Sequence, residues 1–383
     1  MGRGVVTVES GFLMFTDEEV VVVEAGLPGE QWKWGFLQPL ADYHATEEIL
    51  VSEEGGKISV ETTINGQVYS VRFEQQPEER ELERLVQRIA IEAGIPRSDV
   101  YAEGSGMYDG WRVHITTVGG LRIIASRITD LGRINYHPLL MARLLALLMA
   151  PSTILFVGPL KSGKTAALAY TLTTFISVCR FPMPLKVAIV EDGAEIFALV
   201  KEMHLDVVPY LYHSREGVLW KSIDTALKFQ PDLLVVGEFR LPRRTLSKEE
   251  LFKEFTRRLE AACSGLPVLA TVQGDNLTDA MGELDALGKL AGFEKAKLSQ
   301  LVDVYVVCSG PRTVNRVRRR GISEVYVRQR GQDELHKVYD NGWFLPEEEF
   351  LNFLPPQLMF RFHDDEEAAE TYGEIKRRLG VTT

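Results

Sequence analysis

The chain has 383 residues, and 54 acidic against 43 basic side chains leave a formal net charge of −11. That length exceeds what one hydrophobic core usually holds, so two domains are expected, and a 45% hydrophobic content is ample to pack both. The acidic balance argues against a surface built mainly for nucleic acid, while three scattered cysteines without a C-x-x-C pair exclude a zinc ribbon and fit a reducing compartment.

No apolar segment with a cleavage site follows Met1-Gly2-Arg3-Gly4, so no secretory signal is read there and a cytoplasmic location is expected. Val20 to Val23 are β-prone and end in the turn residues Gly26-Leu27-Pro28-Gly29. Residues 57–73 hold two alternating strands around Asn65-Gly66, the strongest short hairpin signal. Over residues 77–93, Leu82, Leu85, Val86, Ile89 and Ala90 recur at helical spacing and Gly94 stops the helix. Residues 111–118 and 121–128 form another hairpin around Gly119-Gly120, so residues 1–132 read as a small α+β domain.

Residues 139–150 are apolar apart from Arg143, too short to span a bilayer, and read as a helix packed at a domain junction. Strands then alternate with helices: residues 154–157, 186–190, 233–236, 268–272 and 304–307 are near-continuous apolar runs. The pattern predicts an α/β domain over residues 133–345, its mostly parallel sheet covered on both faces and its ligand site at the carboxyl ends of the strands. A hairpin within residues 322–344 precedes an acidic tail, 346–383, whose runs Glu347-Glu348-Glu349 and Asp364-Asp365-Glu366-Glu367 read as solvated faces.

Between the run 154–157 and an alanine- and leucine-rich helical pattern, Gly158, Pro159, Leu160, Lys161, Ser162, Gly163, Lys164 and Thr165 spell G-x-x-x-x-G-K-T. The two glycines let the backbone turn back with its N–H groups aimed inward, and the helix that begins near Lys164 and Ala166 adds its positive end, so the loop is a cradle for phosphate. In that cradle Lys164 reaches the β- and γ-phosphates of ATP and the Thr165 hydroxyl sits on Mg²⁺. Acidic residues at neighbouring strand exits would complete a hydrolytic site. Glu238 follows the run 233–236, where Gly237 leaves room for close approach, and can hold Mg²⁺ through water or orient the attacking water. Glu191 is a second such carboxylate after the run 186–190, with Asp192 and Glu195 as weaker candidates that could simply cap the next helix. Arg240 could neutralise phosphate charge or form a structural ion pair, and the Gln273 amide at another strand end could sense a γ-phosphate.

The ordered set GPLKSGKT, VAIVEDGAE, LKFQPDLLVVGEFR and SGLPVLATVQGDN resembles the secretion-motor ATPases of type II and type IV secretion, type IV pili and tight-adherence pili. PLADYHATEEILV, DGWRVHI, SRI and RRRGISEVY are similar to the type IV secretion and tight-adherence branch, and the resemblance runs from about residue 36 to 345. It implies a homo-hexameric ring of two-domain subunits with a RecA-like C-terminal domain and ATP held between the domains. It also implies inner-membrane platform proteins as partners and a place at the inner face of the cell membrane; the acidic balance and the lack of a C-x-x-C pair lead to the expectation of neither nucleic acid nor zinc. In that pattern Glu191 and Glu238 carry the metal and water chemistry, and Arg112 or Arg127 brings positive charge from the N-terminal domain. Two positions depart from it: Gln273 stands where the family has a His, and Lys228 where it has an Arg. Two rivals follow from the residues: a nucleic-acid motor, suggested by Arg316, Arg318, Arg319 and Arg320 with Arg240, Arg243 and Arg244, and a nucleotide-gated assembly factor, suggested by Gln273.

Overall fold

The structure is a computed structural model that describes residues 4–24, 32–65, 67–95, 97–98, 101–117, 120–127, 131, 134–149, 152–159, 162–179, 185–191, 196–197, 200, 207–213, 219–239, 249, 253, 266–290, 297–314, 317–329, 333–354 and 365–381. The chain divides into two compact units, Met1–Thr129 and Asp130–Thr383.

In the first unit the described strands are β1 (Gly4–Val8), β2 (Gly11–Phe15), β3 (Glu19–Glu24), β4 (Thr46–Glu54), β5 (Lys57–Ile64), β6 (Gln67–Phe73), β7 (Arg97–Ser98), β8 (Tyr101–Tyr108), β9 (Trp111–Thr116) and β10 (Leu121–Arg127). They lie in the order β1-β2-β3-β6-β5-β4-β10-β9-β8-β7, antiparallel throughout except for β3 beside β6. Ile64 pairs with Gln67, so β5 and β6 are joined by the two-residue turn that the Asn65-Gly66 pair predicts, with Asn65 at φ +48° and Gly66 outside the described residues. A turn that the sequence reading passed over, Asp109 at φ +47° and Gly110 at φ +76°, joins β8 to β9 in the same way. The predicted helix is present as Glu79–Glu92; the Glu78 backbone N–H donates to Glu81 at 2.8 Å to start it, and Gly94 at φ +66° ends it. Its buried stripe, Leu82, Leu85, Val86, Ile89 and Ala90, joins the same core as Trp111, Val113 and Ile115 of β9. The turn residues 26–29 and Gly119 lie outside the described residues.

In the second unit the strands are β11 (Thr153–Gly158), β12 (Leu185–Glu191), β13 (Val207–His213), β14 (Leu233–Phe239), β15 (Val268–Gln273), β16 (Val304–Val314), β17 (Val317–Arg328), β18 (Leu335–Asp340) and β19 (Trp343–Phe344). Their order is β13-β12-β14-β15-β11-β16-β17-β18-β19; the first six run parallel and the last three add an antiparallel extension. All five apolar runs picked out by sequence are strands of the parallel part. The sequence reading has no strand at β13, which contains Pro209 and lies at the sheet edge, where proline is tolerated. Side chains alternate between two covers. Ile154 and Phe156 of β11 pack in the core that holds helices Pro138–Leu148 and Lys164–Val178, and Leu155 and Val157 pack in the core that holds Leu219–Lys228 and Leu277–Leu290.

Residues 346–383, read from the sequence as an acidic tail, instead give Phe350, Tyr372 and Ile375 to the first of these cores, through helices Glu347–Leu351 and Asp365–Arg378. The segment hides its apolar content because only one stripe of a charged helix is buried. Arg143 explains part of the attachment. It is 3% exposed on helix Pro138–Leu148, donates to the carbonyls of Val338 (3.3 Å) and Leu345 (2.6 Å), and stacks over Phe350 at 4.5 Å. No helix among the described residues is long and apolar enough to cross a membrane.

Replacing Arg143 by Met removes both donors while keeping most of the volume; the Val338 carbonyl keeps the Leu345 N–H at 3.1 Å, and the Leu345 carbonyl loses its Arg143 partner. Urea unfolding is expected to show Arg143→Met destabilised by roughly 1–3 kcal/mol, the cost of one orphaned, partly buried carbonyl.

Candidate functional site

β11 is buried along its whole length and delivers the chain to Gly158. A Cβ there would stand 2.4 Å from both the Cys308 carbonyl oxygen and Ser162 Oγ, so only glycine fits under the loop. The chain turns back through a Ser162 N–H bond to the Pro159 carbonyl (3.3 Å) and through Gly163, whose φ of +87° is the left-handed conformation that glycine adopts without strain. Helix Lys164–Val178 starts at once, with Thr165 and Ala166 half-buried in its first turn. Its first N–H groups and positive dipole end therefore belong to the loop, as an anion cradle requires. Leu160 and Lys161 lie outside the described residues.

Lys164 is 8% exposed, and its Nζ donates to the carbonyls of Gly158 (2.7 Å) and Pro159 (2.8 Å). Burial pulls its pKa below the ordinary lysine range, with the negative charge of Glu238 opposing the shift. Ser162 is fully buried, and its Oγ has no hydrogen-bond partner among the described residues. Cys308 lies under the same loop; burial pushes its thiol up to about 12, so it stays protonated and unreactive.

The parallel register carries the other candidates to the same edge. Gly158 pairs with Gln273 across β11 and β15, Glu238 with Thr271 across β14 and β15, and Val190 with Val236 across β12 and β14. Glu191, Glu238 and Gln273 thus stand at carboxyl ends of strands, as the sequence predicts. Glu238 is half-buried, just past a register shift after Val236, and its charge is felt at Lys164. Gln273 is exposed. Glu191 differs from both: it is 5% exposed, and its two carboxylate oxygens accept the backbone N–H groups of Ile196 (3.1 Å) and Phe197 (2.8 Å). Asp192, Glu195 and Arg240 lie outside the described residues.

Lys228 ends helix Leu219–Lys228 and pairs with Asp224 at 2.9 Å on an exposed face. Asp232 just beyond accepts the Lys186 N–H at 2.9 Å and so sets the start of β12 beside β14. Two contributors escaped the sequence reading. Cys308 supplies the carbonyl beneath Gly158, and Thr271 donates from Oγ1 to the Gly237 carbonyl at 3.3 Å. Neither carries a motif, because each acts through its neighbour in the sheet.

Within the first unit, Arg127 pairs with Trp111 and Arg112 with Ser126, so the pleat sends the two arginines to opposite faces. Arg127 lies over the Trp111 ring at 4.3 Å and donates to the carbonyls of Thr46 (2.9 Å), Tyr43 (3.2 Å) and Ala41. Arg112 is half-buried on the other face.

Two outcomes are expected. Gly158→Ala forces the Cys308 backbone or Ser162 to move and should abolish nucleotide binding measured by fluorescence titration, with a loss of stability of about 1–3 kcal/mol or more read from the melting temperature. Because Lys164 is depressed when no anion is near, a bound phosphate raises its pKa again. Binding should therefore take up protons on the alkaline side, seen in calorimetry as heats that depend on the buffer's ionisation enthalpy, and affinity should weaken as pH rises through the lowered lysine pKa.

No protein-family profile matches the chain. A Mycobacterium tuberculosis protein provisionally named for conjugal transfer is 26% identical over 351 residues, spanning 85% of this chain and 93% of that protein. Among solved structures, the ATPase DotB of Legionella pneumophila superposes with a TM-score of 0.50 at 17% identity, over 76% of this chain and 79% of its own. The chain thus has the RecA-like phosphate-loop fold, and the resemblance to the secretion-motor ATPases carried by its motifs extends to its fold.

Proposed function

We propose that this chain is an ATPase that hydrolyses ATP with Mg²⁺ as the subunit of a homo-hexameric motor. The motor works from the cytoplasmic face on the membrane platform of a secretion or pilus machine. The observation that carries the hydrolytic part is Lys164, buried against the loop carbonyls of Gly158 and Pro159 with the charge of Glu238 close by. The mechanical part rests on the resemblance and on the relative named for conjugal transfer.

In this reading Lys164 exchanges its carbonyl partners for β- and γ-phosphate oxygens, and the backbone N–H groups of the loop hold the rest of the phosphate chain. Glu238 orients a water in line with the γ-phosphorus. As the water oxygen bonds to phosphorus, the bond to the β-phosphate oxygen breaks, ADP departs and the water's proton passes to the carboxylate or to solvent. The residues present fit Mg²⁺: among the described residues no group of three or more His, Cys, Asp or Glu forms a cage, and the Thr165 hydroxyl with the Glu238 carboxylate is the sparse oxygen set that this ion takes beside phosphates. Bound there, it would neutralise charge that develops on the β- and γ-oxygens. Gln273 and Arg240 are assigned to the γ-phosphate, and Arg112 or Arg127 to positive charge from the first unit. The opposite facing of these last two means that alanine variants should separate them.

A second reading, a nucleotide-gated assembly factor with weak turnover, is favoured by Gln273, an uncharged amide beside Gly158 at the strand end. Steady-state ATPase assays with binding measurements distinguish the two. Lys164→Ala should weaken ATP binding about 100-fold, from the loss of charge-assisted bonds to phosphate. Glu238→Gln should keep binding and lose about 10²–10⁴ in kcat. Wild-type turnover no faster than that of Glu238→Gln, at high protein concentration with Mg²⁺, would leave only the gated factor. Mass measurement with a slowly hydrolysed ATP analogue should show a hexamer, and a monomer with and without it would exclude the ring.

A further inference from the structure

We infer that Glu191 is a positioning residue, and that the carboxylate work at the nucleotide falls to Glu238. The inference rests on the ATPase reading above and reassigns one residue within it. Both candidates leave parallel strands at the same edge of the sheet, yet Glu191 is buried and Glu238 is only half-buried. Glu191 is 5% exposed, with Oε2 accepting the Ile196 N–H at 3.1 Å and Oε1 accepting the Phe197 N–H at 2.8 Å. Ile196 is itself 1% exposed, so its N–H depends on a protein acceptor. For Glu191 to reach a cation or water at the loop it would have to release both N–H groups in a buried setting, which is unfavourable. Glu238 is half-buried, and its charge already acts on Lys164.

The tether also reaches Glu238. A Cβ built on Gly237 would stand 3.2 Å from Glu191 Cβ and 3.5 Å from its Cα, so the Gly237 backbone lies directly against Glu191. On the other side Thr271 Oγ1 donates to the Gly237 carbonyl at 3.3 Å. The β14 register slips between Val236 and Glu238, at the residue clamped between these two neighbours. Glu191 therefore acts twice: its carboxylate fastens the backbone at Ile196 and Phe197, and its Cα and Cβ form one wall against the bulge that aims Glu238. The sequence motif, two acidic strand exits, does not separate these tasks.

The full-length chain tests this with Glu191→Gln and Gly237→Ala, the second replacing no charge and no hydrogen bond. In the nucleotide-free protein, hydrogen exchange at the Ile196 and Phe197 amides should accelerate at least about 10-fold in Glu191→Gln and stay unchanged in Glu238→Gln. In ATPase assays Glu191→Gln and Gly237→Ala should each lower kcat about 10-fold, the effect of a misplaced group, with unchanged nucleotide Kd and unchanged Mg²⁺ concentration for half-maximal rate. The double variant should be little worse than either single one, because both disturb the same bulge. Unchanged amide exchange in Glu191→Gln would overturn the inference, as would a several-fold rise in the Mg²⁺ requirement or a loss of kcat equal to that of Glu238→Gln. The exchange measurement needs no turnover, so it judges Glu191 even if the wild type fails as an ATPase.

Discussion

A lysine ammonium held at 8% exposure is the constraint around which the second unit is arranged. Burying that charge is unfavourable, and the loop offsets it with two carbonyls, Gly158 and Pro159, presented at hydrogen-bond distance. They can be presented only because the chain doubles back where Gly158 has no Cβ and where Gly163 takes a left-handed φ. The floor beneath Gly158 is the Cys308 backbone on β16, which lies beside β11 only because the parallel sheet places it there. Loop, helix and sheet therefore share one condition: a positive charge kept out of water and directed at whatever anion enters the cradle.

The same sheet turns separate stretches of chain into neighbours. In a parallel sheet every strand ends on the same edge, so Glu191, Glu238 and Gln273, far apart in sequence, arrive at one side with the phosphate loop. Their environments then divide them: Glu238 is half-buried and electrostatically coupled to Lys164, Glu191 is saturated by backbone N–H groups, and Gln273 faces outward. Two glutamates at equivalent strand ends thus differ in setting, one buried with both oxygens accepting backbone N–H groups and the other half-buried and coupled to Lys164.

Packing also recruits what looks dispensable. The acidic C-terminal stretch gives Phe350, Tyr372 and Ile375 to the core and pairs Glu347 with Lys376. Its helix lies close to the phosphate-loop helix, since Arg378 donates to the Val178 carbonyl at the end of Lys164–Val178 at 2.6 Å. A cation at the carboxyl end of a helix interacts favourably with its dipole, so the segment steadies the helix whose other end starts at the glycine loop.

The local features were legible in the sequence because short-range physics sets them. The apolar run before Gly158 is a strand, Asn65-Gly66 closes a two-residue hairpin, and the spacing of Leu82, Leu85, Val86 and Ile89 is a helix face. The loop after β11 was legible for the same reason: its motif residues are contiguous, and Gly158 and Gly163 meet backbone demands that glycine alone satisfies without strain. What the sequence left open depends on neighbours across the sheet. An edge strand with a proline inside it was missed, a charged helix concealed its buried stripe, and nothing in the sequence showed that Arg127 donates to the carbonyls of Ala41, Tyr43 and Thr46. Above all, two strand-end glutamates looked alike until tertiary structure gave one of them two backbone N–H groups and left the other beside Lys164, because burial and hydrogen-bond partners are properties of a place in the fold and not of a residue type.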